Sequence, residues 1–172
     1  MAITRDFGNS SFISSSSSYN YVGQTVGAAS NMMLIVGIQV LSTTDKITSV
    51  TWDSGGTNQA MTKRANVQLP TFWQQYLYYL VAPTTGSKTL NVSTSSTQGI
   101  YLESVSYAGV KQSAPDAFTS NSNASGTSVV CQITTTADNS LHIGHFTAAN
   151  GTLGAGTNTV IDVDFIAQGL SM

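Results

Sequence analysis

Apolar positions along this chain come in short runs separated by glycine, proline, asparagine and serine, and no run keeps a helical period with helical caps. The plainest run is Met32-Met33-Leu34-Ile35-Val36-Gly37-Ile38-Gln39-Val40-Leu41, apolar at odd and even positions alike, which predicts a central strand covered on both faces. Its β-branched residues and internal glycine favour strand over buried helix. Residues 47–52 and 59–62 flank the turn Asp53-Ser54-Gly55-Gly56-Thr57-Asn58 and predict a hairpin. A second hairpin is predicted from Phe72 through Val81, across Pro83-Thr84-Thr85-Gly86, and back along 87–93, because proline fixes one φ and glycine tolerates a positive one. In its first strand Tyr76, Tyr78 and Leu80 share one face, and Trp73, Gln75, Leu77, Tyr79 and Val81 the other. Trp52 and Trp73 are expected to be mostly buried.

Residues 19–26 and 100–110 add further strands, and the runs 128–134, 140–147 and 159–167 complete an all-β chain of about nine to eleven strands. Many short strands with turn signals and no helix predict an antiparallel β-sandwich or barrel. The longest polar connection, 111–126, has the length of loops that carry function. Ahead of the first regular strand, residues 1–18 end in five consecutive serines, a tract that reads as linker. A pure linker has no use for Ile3, Phe7, Phe12 and Ile13, however. The segment therefore divides as an N-terminal arm, 1–18, and a domain, 19–172, with these four apolar residues as the candidate partner-binding set.

Composition narrows the function classes. The 172 residues fit one domain without a disulfide, and Cys131, the only cysteine, lies in Val129-Val130-Cys131-Gln132-Ile133 and is expected to be a small buried hydrophobe. Charged residues are 8% of the chain, against about 25% in an average domain, and six Lys plus Arg offer no stripe of cations for phosphates. Nucleic acid is thus not an expected partner. Weak charge repulsion favours an oligomer or a surface-bound subunit. No apolar run approaches the ~20 residues of a membrane helix, and the N-terminus lacks the basic and apolar regions of a secretory signal, so no membrane partner is expected and synthesis in the cytoplasm is.

Candidate chemistry is sparse. His142 and His145 stand three apart, which on the predicted strand sends them to opposite faces and argues against a shared metal. Asp162 and Asp164 share a face of the last strand, as a carboxylate pair or as charges that protect a sheet edge. The Asp53 turn has one carboxylate and no terminal glutamate, so it reads as a turn rather than a calcium loop. No Gly-x-Ser-x-Gly elbow or triad spacing is present. Neither an enzyme nor a cofactor is expected. Trp73, Tyr76, Tyr78, Tyr79 and Tyr101 are either core or a stacking platform for sugars.

Three blocks carry a resemblance. They are Met33-Leu34-Ile35-Val36-Gly37-Ile38 with Val50-Thr51-Trp52 and the turn from Gly55 to Met61; Tyr78-Tyr79-Leu80-Val81-Ala82-Pro83 through Leu90-Asn91-Val92; and Glu103-Ser104-Val105-Ser106-Tyr107-Ala108-Gly109-Val110-Lys111-Gln112. Over about residues 19–168 the chain resembles a jelly-roll-type β-sandwich module of phage virion proteins and large bacterial surface proteins. The resemblance implies a virion subunit of a tailed phage, a capsid decoration protein that cements the shell, with the major capsid protein and its own copies, as a homotrimer, for partners. The alternative it leaves is a carbohydrate- or receptor-binding module.

Overall fold

The computed structural model describes residues 2–69, 72–122, 130–136 and 140–146. Among these there is no helix, and seven strands form one antiparallel sheet: β1 (Thr4–Val26), β2 (Met33–Leu41), β3 (Ile47–Trp52), β4 (Gln59–Ala60), β5 (Thr62–Gln68), β6 (Trp73–Val81) and β7 (Gly86–Ala108). All-β, antiparallel architecture is what the run pattern predicts. Seven strands stand among the described residues, against about nine to eleven expected for the whole chain. Residues 130–134 and 140–146 form no strand, and 159–167 lie outside the described residues.

Two long, bent strands organise the sheet. β1 pairs with β7 along almost its whole length, Thr4 to Ile13 against Ala108 to Ile100 and Ser18 to Val26 against Ser93 to Gly86. On its other edge the second half of β7 pairs with β2, while its first half pairs with β3. The bend falls at the serine tract, where Ser15 takes a left-handed φ of 59° and the register shifts on both sides of Ser16. Tyr19 pins that bend. Its hydroxyl donates to the Ser16 carbonyl at 2.6 Å, receives the Ser16 amide, and also meets the Gln98 carbonyl. Small polar residues suit a place where the chain must turn sharply without leaving a bulky side chain to bury.

Residues 4–18, read from sequence as an arm, are therefore strand, continuous with 19–26 and paired with β7. The two halves of β1 return to the same end of the molecule. There the Asp6 carboxylate accepts the Gly27 amide and the Ser106 hydroxyl, both at 2.7 Å. Further inside, Ser104 donates to Gln24 at 2.6 Å, and both residues are buried, so the seam between the halves is closed by satisfied polar pairs.

On the opposite side closure is through the backbone. β4 pairs with β3, β5 pairs with β6, and only Met61 separates them, its amide donating to the Val50 carbonyl at 2.9 Å. One short segment thus hands the sheet from β3 to β6, and the sheet curls nearly into a barrel. The interior holds Trp52, Leu90, Val92 and Tyr19 from one half, packed with Leu34, Val36, Ile38, Tyr76 and Leu102 from the other. Trp52 is fully buried, with its indole N–H on the Thr84 carbonyl at 2.8 Å. Tyr76 also lies inside, and its hydroxyl accepts the Lys46 amide at 3.0 Å, while burial pushes its pKa up to about 12.

The β3–β4 hairpin forms as expected, with Trp52 opposite Gln59. The expected hairpin across Pro83 does not. β6 pairs with β2 and β5, and the first half of β7 pairs with β3 and β1. Its turn residues act as a crossover: Ala82 takes a left-handed φ of 50°, the Gln59 carboxamide accepts the Thr84 amide at 2.7 Å, and Trp52 takes the Thr84 carbonyl. The chain is carried over the end of the core instead of folding back on its neighbour.

Candidate functional site

The sheet has two outer faces of opposite character. On the β6–β2–β7 side the odd positions of β2 face outward, and a second apolar cluster forms there around Met33, Ile35 and Tyr107. Leu77, Tyr79, Val81, Val105 and Val110 pack on it, half-buried, and so does Ile3. β2 is consequently covered on both faces from Met33 to Val40, as its apolar run predicts. At its centre the His145 ring lies on Gly37. A methyl at that position would stand 2.9 Å from two ring carbons, so the strand needs glycine there. Burial pushes the His145 imidazole down to about 4, and its Nδ1 is buried without a hydrogen-bond partner.

The outer face of β1, β7 and β3 is polar and carries a shallow groove of about 670 Å³. Its floor is a row of paired residues, with Asn20 opposite Asn91 and Asn91 opposite Thr51, joined by Thr89 one step along. One wall is a bulge in β1, where the register slips between Tyr21 and Gln24; Gly23 takes a φ of 83° and Val22 stands 72% exposed. The other wall is the turn after β3, represented by Ser54, Gly55 and Asn58.

That turn is built by Asp53. Its carboxylate accepts the Thr57 amide at 3.1 Å and the Thr57 hydroxyl at 2.9 Å, and Lys88 lies 3.4 Å away. The Thr57 amide, aided by the Thr57 hydroxyl and Lys88, holds the Asp53 carboxyl below the usual carboxylate range. A depressed folded pKa contributes stability that is present above the unfolded value of about 3.9 and is lost as pH falls through the folded value. Asp53→Ala is thus expected to lower the unfolding midpoint at pH 7, with the gap from the parent chain narrowing by pH 3. Thermal melts at the two pH values check this, and a gap independent of pH would show that the charge is not involved.

Of the four candidate partner-binding residues, Phe7, Phe12 and Ile13 are on β1 and Ile3 just precedes it. Ile3 joins the outer apolar cluster, Phe7 is half-buried on β1, and the backbones of Phe12 and Ile13 pair with Tyr101 and Ile100. The aromatic group divides. Tyr76 and Tyr78 are core, while Trp73 is half-buried on the outer side against Tyr101, ring centres 5.6 Å apart. Trp73 is therefore less buried than expected, because position 73 has the outward parity of β6. Cys131 is a correction: it is exposed, since residues 130–134 form no strand and Val130 is 64% exposed. His142 is exposed and His145 half-buried, again without a strand between them. Asp162 and Asp164 lie outside the described residues. Among the described residues no three His, Cys, Asp or Glu side chains gather as metal ligands, and no helix is long and apolar enough to cross a membrane.

Sequence reasoning missed the groove. Its floor residues alternate with core residues in β1, β3 and β7, but their alignment depends on a strand pairing that no local pattern encodes. No protein-family model, curated protein or solved structure matches this chain.

Proposed function

We propose that this chain is a structural virion subunit, a jelly-roll-type module that decorates and cements the capsid of a tailed phage. The observation that carries this reading is the outer apolar cluster on the β6–β2–β7 face, into which the N-terminal Ile3 is drawn. A sheet needs one apolar face to make a core. A second one, with half-buried leucine, valine and tyrosine, suits contact with another protein surface. The low charge fits as well, because a subunit that spends its life bound needs little repulsion from its copies.

In this reading the cluster seats on the major capsid protein, and copies of the chain close around a threefold position as a trimer, the simplest closed ring there. Contact area supplies the cementing, at about 800 Å² per partner for a stable interface. Leu77→Lys and Val81→Lys place a charge in that contact without touching the interior. Each variant is expected to keep its unfolding midpoint within a few degrees and to lose at least tenfold in occupancy on capsids, measured by quantitative gel analysis of purified particles. Normal occupancy of both variants would refute this attachment face.

A further inference from the structure

We infer that the groove on the opposite face, across β1, β7 and β3, binds a neutral saccharide. Its lining contains no ionisable side chain, which removes the attraction an anionic ligand or a cation would need. What it offers is a dense set of hydroxyls and carboxamides, each able to donate, accept or both. These match the hydroxyl groups of a sugar, which also donate and accept at every position.

Two features show that the set is pre-arranged. The Asn91 carboxamide donates to Asn20 Oδ1 at 2.8 Å and to Ser18 Oγ at 3.1 Å, and accepts the Ser93 hydroxyl at 3.0 Å, so its plane is fixed before any ligand arrives. The Asn20 amide hydrogens and the hydroxyls of Thr51 and Thr89 have no partner among the described residues, so the fold does not consume them. Val22 adds an exposed isopropyl group at the rim, a surface for the C–H face of a sugar ring.

A peptide is the poorer occupant. The groove lies on the face of the sheet, where the backbones of Asn20, Asn91 and Thr51 are already paired, and an extended peptide takes its affinity from unpaired backbone at a sheet edge. Nothing here rests on the attachment face, which is on the outside of the other half of the sheet. A decorating subunit seated by its apolar face would present this groove outward.

The test uses the full chain on an array of neutral, sialylated and sulfated oligosaccharides, with titration calorimetry on the best neutral hits. The expected result is binding to neutral glycans, reduced at least tenfold by Asn20→Ala and by Thr51→Arg. Both positions face solvent, and each variant should melt with the parent chain. If Thr51→Arg melts early, Asn20→Ala alone decides. Absence of binding to any neutral glycan, equal binding to the acidic ones, or binding unchanged in the variants would overturn the inference. Capsid occupancy should be unaffected by either substitution, so failure here leaves the attachment face standing.

Discussion

Removal of residues 1–18 is expected to unfold the chain. Those residues supply the whole partner of the second half of β7 on one edge, from Thr4 against Ala108 to Ile13 against Ile100. About ten backbone hydrogen bonds at roughly 0.5–1.5 kcal/mol each come to about 5–15 kcal/mol, the whole stability of an ordinary domain. The loss also strands polar groups. Asp6 no longer meets the Gly27 amide and the Ser106 hydroxyl, and Ser106 is fully buried. Circular dichroism and a denaturant titration of 19–172 check the expectation. A cooperative transition at the parent midpoint would show instead that 1–18 is a detachable arm.

Trp52→Ala is the second large effect. The indole is fully enclosed between the two halves of the sheet, and large-to-alanine changes at such sites cost roughly 3–5 kcal/mol. Its N–H also holds the Thr84 carbonyl, which fixes the crossover from β6 to β7. The unfolding midpoint in urea should therefore fall by more than for Trp73→Ala, because Trp73 is only half-buried on the outside. Equal losses would mean that the interior is not where Trp52 sits.

Local patterns in the sequence carried much of the fold. The double parity of apolar residues in 33–40 marks a strand buried on both faces, and the alternation in 73–81 separates Tyr76 and Tyr78 from Leu77 and Tyr79 correctly. The Asp53 turn was legible from its glycines between two strand runs; that Asp53 closes it through Thr57 with a left-handed φ was seen only in the structure. Pairing was not legible. Pro83-Thr84-Thr85-Gly86 has the composition of a hairpin turn, but whether the chain folds back or crosses over is decided by Gln59 and Trp52, each more than 20 residues away in sequence.

The serine tract shows the same limit. Five serines read as linker when judged alone, yet they form the bend of a strand because Tyr19 and Gln98 meet there. Cys131 erred in the other direction: its neighbours are apolar enough for a strand, but among the described residues none pairs with them, and the thiol is exposed. Ile3 was singled out by its misplaced apolarity, and the fold packs it on the outer apolar cluster of its own chain. The groove needed three strands brought side by side by pairings across 70 residues of chain, and single-strand periodicity cannot supply that.

The most direct measurement is a cryo-electron-microscopy map of phage particles assembled while this chain is expressed, at a resolution that orients its sheet. The expected result is the barrel seated on the outside of the shell around threefold positions, with Leu77, Tyr79 and Val81 against the capsid protein and Asn20, Thr51 and Asn91 toward solvent. Particles that lack the chain, or a chain seated with the asparagine groove against the shell, would contradict it.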